Sequence, residues 1–412
     1  MLPSPLAPAA VNKPLNWPRL WALFGLMVGM AYLAQIILYL NVQVAGSVGL
    51  IQPHGIIWGA DFLSYWSAGK LALSGHAADV YNIDRMATIH KLASPDNMAV
   101  TAYHYPPFFL LVLAPLATLP YLVAYLLFIS LTLGLWLALL WQLRPKISTV
   151  VMAMLFPGTW MCILAGQNAF LTAALAGYTL WSLTKNRINA GSIACTALLY
   201  KPQLALLPGC MTAWTALRQR RFETIFIGMA SVLVLVVLTL LIFGAQSWIA
   251  FWHNSSYAVA LLEESSIPLS TMISPFAALR EQGASLPIAY MAQGLCALSS
   301  LIIVGRIWQK STSASLNIAA VSSAILLISP HMFQYELPIF MLALVMMWQY
   351  AEEIGFLRGE ACFLFLCFFA QPLLSSWMGN LSLYPLISIS FMLYVFYRHI
   401  CSMNRKCAKA EL

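Results

Sequence analysis

The sequence predicts an all-α polytopic membrane protein, and three observations carry that prediction. Of the 412 residues, 61% are hydrophobic and 8% are charged, whereas soluble domains carry about 25% charged residues. The mean hydropathy is +0.80. The apolar residues fall in repeated long runs, which suit helices; barrel strands alternate and last only about ten residues.

Taken in order, residues 1–19 form a Pro- and Ala-rich tail with Lys13 and Arg19. The apolar run from Leu20 to Leu40 lacks a small-residue cleavage site and reads as an uncleaved first transmembrane helix. Residues 41–104 then form a long, mostly polar loop containing Asp61, Asp79, Asp84 and Asp96. After Tyr105-Pro106-Pro107 come apolar runs at 108–119 and 121–143, followed by Arg144 and Lys146. Further runs lie near 149–165, 168–183, 190–200, 202–217, 222–243, 288–308, 316–330, 333–350, 360–378 and 381–397. The runs at 190–200 and 202–217 are each too short to cross straight. They read as two half-buried helices meeting at Lys201-Pro202. A second long loop, 244–287, carries Glu263 and Glu264. The sum is about twelve crossings: a transmembrane module over 20–350, further helices over 351–397, and a basic tail over 398–412.

The net charge is +8, but the bases sit in short clusters between apolar runs. That is the signature of cytoplasmic anchoring loops, and nothing in it suggests a nucleic-acid surface. Arg398, Arg405, Lys406 and Lys409 place the C-terminus inside, and Lys13 and Arg19 place the N-terminus there too. Counting crossings from both ends puts loops 41–104 and 244–287 and the turn at 330–332 outside. Arg144 and Lys146 would fall on the wrong side if 108–119 and 121–143 both crossed. The charges favour one crossing, with 108–119 at the interface or re-entering. The eight cysteines show no CxxC or zinc-like spacing, so neither a disulfide framework nor a metal site is indicated.

Four polar clusters interrupt the apolar pattern. Asp61 opens a helical pattern, with Tyr65 one turn later on the same face. As a general base it would take a proton from a hydroxyl; as a plain structural residue it would cap the helix. Trp66 and Tyr81 follow nearby, suited either to the membrane interface or to stacking on a sugar or isoprenoid. Gly166-Gln167-Asn168 marks a tight turn; turn chemistry accounts for the Gly and Asn, and Gln167 is left to hydrogen-bond a polar ligand. Tyr200-Lys201-Pro202-Gln203 puts a lysine between apolar segments, either snorkelling to headgroups or binding an anionic phosphate. Finally, Pro330-His331 breaks a helix ahead of Tyr335 and Glu336. His331 would orient or neutralise a phosphate, and Glu336 would contact substrate or pair with a nearby base. The remaining histidines, including His104, read as loop residues.

Asp61-Phe-x-x-Tyr65-Trp66-x-Ala-Gly69, then Gly75, Tyr81 and Tyr105-Pro106-Pro107, resembles glycosyltransferase family 87. Gly166-Gln167-Asn168 and Lys201-Pro202-Gln203 resemble that family's later motifs. The resemblance runs over roughly residues 20–340. It implies a GT-C fold, a long first extracytoplasmic loop, and transfer of a sugar, mannose above all, from a polyprenyl-phosphate donor on the outer face. The carboxylate matching the family's catalytic base is Asp61. Tyr65, Trp66, Tyr81, Tyr105, Tyr335 and Glu336 become candidate substrate contacts. Lys201, His331, Gln167, Asn168 and Gln203 become candidate donor or phosphate ligands.

Two cationic candidates without a carboxylate cluster lead to the expectation of no divalent metal and no other cofactor; a second carboxylate near Asp61 would reopen it. The expected partners are the lipid-linked donor, membrane lipids, and an acceptor on a glycan, glycolipid or protein. Short tails and no organellar signal fit a bacterial inner membrane. A transporter or flippase of a lipid-linked sugar is the rival reading, but transporters usually show paired repeats, and none is evident here. A structural subunit of an envelope complex would leave the Asp61 segment without a role.

Overall fold

The computed structural model describes residues 17–98, 100–370 and 384–410, with side chains as far as Asn404. The segment carrying Lys13, the side chains of Arg405, Lys406, Cys407 and Lys409, and the expected boundary between runs 360–378 and 381–397 lie outside the described residues. The described residues hold helices and isolated β-bridges. The seven described cysteines are free.

The helices are α1 (Trp17–Gly46), α2 (Ala60–Leu73), α3 (Ile83–Ala93), α4 (Leu110–Ala117), α5 (Tyr121–Leu143), α6 (Ile147–Leu155) and α7 (Pro157–Ala165). Then follow α8 (Ala169–Thr184), α9 (Ile188–Ala197), α10 (Pro202–Arg218), α11 (Phe222–Phe243), α12 (Ala245–Glu263) and α13 (Pro275–Glu281). The chain closes with α14 (Leu286–Lys310), α15 (Ala314–Ile328), α16 (Leu337–Ile354), α17 (Glu360–Phe368) and α18 (Tyr384–Ala410).

Among the described residues, six helices are long and apolar enough to cross a membrane: α1, α5, α11, α14, α16 with its preceding turn, and α18. The pair α6–α7, bent by 60°, would make a seventh. Several of the runs expected to cross are therefore shorter helices, among them α8, α9 and α15. The run after Pro107 forms a 3-10 turn and the eight-residue α4, too short to cross, while α5 has 23 residues. This agrees with the single crossing that Arg144 and Lys146 favoured.

Burial sorts these helices into layers. Within its apolar window α16 has 72% of its residues buried, against 6% for α11 and 11% for α1. Thus α16 forms the core of the bundle, packed on α15 and α8, while α1 and α11 turn their apolar surfaces outward. That outward surface is stable only in lipid.

Both long loops expected from the sequence are largely helical. The first folds into α2, a 3-10 turn at Ala77–Tyr81, and α3, which Asn82 caps by accepting from the N–H groups of Asp84 and Arg85. The second contains α12 and α13. Their polar content hid helices that rest on the bundle and do not cross it. Prolines open α10, α14 and α16, where a missing N–H costs nothing. These starts set the chain breaks beside Lys201 and Glu336.

Candidate active site

Two glycines bring the first loop onto the bundle. Gly59 precedes α2 with φ of 68°, and Gly166 ends α7 with φ of 77°. Such φ values suit glycine, which has no Cβ to clash. A Cβ on Gly166 would lie 2.7 Å from Phe62 Cβ and 3.2 Å from Gly59 Cα. The missing side chain at Gly166 lets the start of α2 touch the α7–α8 turn, and that at Gly59 makes room for Tyr125 of α5. That approach delivers Gln167 to Asp61.

Gln167 Nε2 donates to Asp61 Oδ2 at 2.8 Å, and Tyr65 Oη donates to Gln167 Oε1 at 2.7 Å. An ionised carboxylate only accepts, so the Gln167 amide nitrogen must face Asp61. Tyr65 and Tyr105 hydroxyls lie 2.8 Å apart. With the Tyr65 proton committed to Gln167, Tyr105 is the donor to Tyr65. The result is a directional chain, Tyr105 to Tyr65 to Gln167 to Asp61, whose dipoles all favour the ionised carboxylate. Tyr81 Oη donates to the Tyr105 carbonyl at 2.8 Å and holds that segment in place.

Asp61 lies in the first turn of α2, where the helix dipole favours a negative charge. It is not the N-cap: that position is Gly59, without a side-chain cap bond. Burial pushes the Asp61 carboxyl above the ordinary carboxylate range, while the Gln167 hydrogen bond and the charge of Lys201 pull it back. The Gln167 bond occupies Oδ2 and leaves Oδ1 for another partner.

Lys201, at the break before α10, forms a buried ion pair with Glu336. Glu336 thus takes the pairing role, and its second oxygen is buried without a hydrogen bond. The Lys201 ammonium also lies 5.5 Å from the Tyr335 ring centroid and 5.9 Å from that of Tyr105. Asn168 is fully buried beside Tyr105, and neither polar atom of its side chain has a geometric hydrogen-bond partner. His331 packs edge-on against Phe333, which stacks on Tyr335. Burial, with His104 and Lys201 nearby, pushes His331 down to about 4. At neutral pH it therefore presents a neutral imidazole, in place of the cation expected from the sequence.

Asp61, Tyr65, Tyr81, Tyr105, Gln167, Asn168, Lys201, Tyr335 and Glu336 thus converge, with His331 at their margin. Two candidates stand apart. Trp66 is buried in the scaffold, donating to the Leu119 carbonyl at 3.0 Å and packing on Tyr121, so its ring is not offered to a ligand. Gln203 is exposed at the start of α10, outside this network.

Other residues belong to the site that sequence reasoning passed over. Tyr200 stacks on Phe109 with centroids 4.6 Å apart, and its hydroxyl meets Thr172 at 2.7 Å. Asn254 on α12 donates to the Tyr103 carbonyl and to His104 Nδ1. The 268–275 segment closes over the His331 loop: Ile273 N donates to the Met332 carbonyl at 2.8 Å, and Gln334 Nε2 to that of Ser270 at 3.0 Å. The sequence marked Tyr200 only as part of the cluster around Lys201, and the 244–287 segment only as a polar loop.

The model of glycosyltransferase family 87 matches residues 103–330, more than half of the chain. The chain belongs to glycosyltransferase family 87. The matched span covers Tyr105-Pro106-Pro107, Gly166-Gln167-Asn168 and Lys201-Pro202-Gln203. It begins after Asp61, whose place in the site rests on the Gln167 contact. No curated protein and no solved structure matches the chain.

Proposed function

We propose that this glycosyltransferase moves a sugar, mannose by its sequence resemblance, from a polyprenyl phosphate to an acceptor hydroxyl, with Asp61 as general base. The observation that carries the reading is the hydrogen-bond chain from Tyr105 to Asp61, which orients the carboxylate and favours its ionised form against the burial that raises its pKa. In the proposed step Asp61 Oδ1 takes the hydroxyl proton as the acceptor oxygen bonds to the anomeric carbon. The bond from that carbon to the phosphate oxygen breaks, and its electron pair leaves with the polyprenyl phosphate. In-line attack inverts the anomeric centre.

Charge builds on the departing phosphate, where fixed donors lower the barrier most. Lys201 has three N–H donors, of which Glu336 engages one. The others, with an imidazole N–H of His331 and the unpartnered amide of Asn168, are the proposed phosphate ligands. The proposal uses no divalent metal, since Lys201 and neutral donors carry the leaving-group charge. Tyr105 and Tyr335 would line the sugar, with Tyr65 behind them in the hydrogen-bond chain.

The outer-face assignment is supported by α16. Its 18 residues rise about 27 Å, close to the thickness of a bilayer core. Glu336 precedes it beside Lys201, and Glu352 near its other end pairs with Arg144 and Lys146 at 2.8 Å each. If the basic end faces the cytoplasm, the site faces the extracytoplasmic side, as in a bacterial inner membrane. Family membership favours transfer over the transporter reading.

The test is sugar transfer by purified protein in nanodiscs, given radiolabelled polyprenyl-phosphate mannose and a mixed lipid extract. Wild type is expected to give labelled product, and Asp61→Asn to lose about 10²–10⁴-fold in rate. A folded Asp61→Asn protein with wild-type turnover would rule out the base.

A further inference from the structure

The sequence reads His104 as a loop residue, and the fold seats it at the edge of the site. It directly precedes Tyr105, whose hydroxyl opens the chain to Asp61. Tyr103, on its other side, is buried with its ring 5.6 Å from that of Tyr81 and 5.5 Å from that of Tyr105. The His104 ring is exposed, yet enough protein surrounds it to hold the imidazole below the ordinary histidine range. At pH 7 the ring is therefore neutral. His331 lies close enough to interact with both His104 and Lys201, so the three share one side of the site.

A single amide decides which ring nitrogen carries the proton. Asn254 of α12 is buried; its Nδ2 donates to the Tyr103 carbonyl at 3.1 Å and lies 3.3 Å from His104 Nδ1. A carbonyl oxygen only accepts, so the amide nitrogen must face Tyr103. That nitrogen has a second N–H and accepts nothing, so it donates to Nδ1 as well. Nδ1 is then the acceptor, and the proton of the neutral ring sits on Nε2. Among the described residues nothing bonds Nε2. The amide itself is held, because Phe251 of α12 packs on Tyr81 with ring centroids 5.9 Å apart.

We propose that His104 binds the donor, its Nε2–H donating to a phosphate oxygen of the polyprenyl phosphate, and that Asn254 is the residue that positions it. This rests on the phosphate site assigned above to Lys201, His331 and Asn168. With Nδ1 engaged, the ring can only donate, and an ionised phosphate oxygen can only accept. A sugar hydroxyl would bring a proton of its own that Nε2 could not take.

The test is calorimetric binding of farnesyl phosphate, a short polyprenyl phosphate, to the full chain in detergent, with farnesol as the phosphate-free control. His104→Leu should weaken farnesyl phosphate by about tenfold or more, as expected for one hydrogen bond to a charged group, and leave farnesol unchanged. His104→Gln, which returns an N–H donor, should recover most of that loss. Asn254→Leu should weaken farnesyl phosphate, but add nothing in the His104→Leu background, because it acts through the ring. Unchanged affinity in His104→Leu, an equal loss for farnesol, or additive losses in the double variant each overturns the proposal. Mannose transfer measured in parallel separates this from the donor reading. A wild type that shows these binding dependences without transferring mannose counts against that donor and keeps the His104 contact. A wild type that transfers mannose while His104→Leu binds normally removes the contact alone, and a wild type that binds no farnesyl phosphate overturns both.

Discussion

Replacing Gln167 by methionine isolates the hydrogen bond on which the Asp61 assignment depends. Methionine keeps the unbranched shape and approximate volume of glutamine, so packing around the α7–α8 turn is preserved. What disappears is the N–H donated to Asp61 Oδ2 at 2.8 Å. A hydrogen bond to a charged group is worth about 1.5–3 kcal/mol. The bond lowers the Asp61 pKa, so its loss should raise that pKa further above the ordinary carboxylate range. A general base works only when ionised, and the acid limb of kcat/KM reports its pKa in the free enzyme. That limb should therefore move to higher pH, while the plateau at high pH changes less. The assay is transfer of label from polyprenyl-phosphate mannose across a pH series, with wild type in parallel. A folded Gln167→Met enzyme whose acid limb stays in place would refute the chain of reasoning from Tyr105 to Asp61.

Three further outcomes follow from the same geometry. Asp61→Asn should unfold no sooner than wild type at neutral pH, although inactive. Burial raises the folded-state pKa above the ordinary 3.8, so ionisation costs folded stability as pH rises through that value, and asparagine removes the cost while still accepting from Gln167; a marked loss of thermal stability would contradict this. Glu336→Gln strands the buried Lys201 ammonium and should cost about 3–5 kcal/mol, most of it recovered in Lys201→Met/Glu336→Met. Denaturation in detergent reads this, and a double variant no more stable than the single one would count against a pair shielded from water. Gly166→Ala meets both a left-handed φ and Phe62 Cβ at 2.7 Å, so about 1–3 kcal/mol of stability and most of the transfer activity should go together; wild-type melting and rate would show that the Gly59–Gly166 approach is not needed.

The sequence by itself determined the membrane class, the family resemblance and most of the residue types at the site. Long apolar runs are a one-dimensional signal, because crossing lipid demands consecutive apolar residues satisfied within one helix. Asp61, Tyr65, Gln167 and Lys201 stood out because polar groups beside such runs are expensive without a purpose. The tertiary structure decided how they are used. Gln167 serves Asp61 because two glycines a hundred residues apart allow their turns to touch, and no local pattern encodes that approach. Trp66 was set aside by the position of the Leu119 carbonyl, and His331 lost its expected charge to burial and to neighbouring cations. The polar stretches 41–104 and 244–287 read as loops because helices lying against a bundle lack the apolar length of a crossing. Their helical form and their closure over the site depend on partners distant in the chain, and only the folded protein brings those partners together.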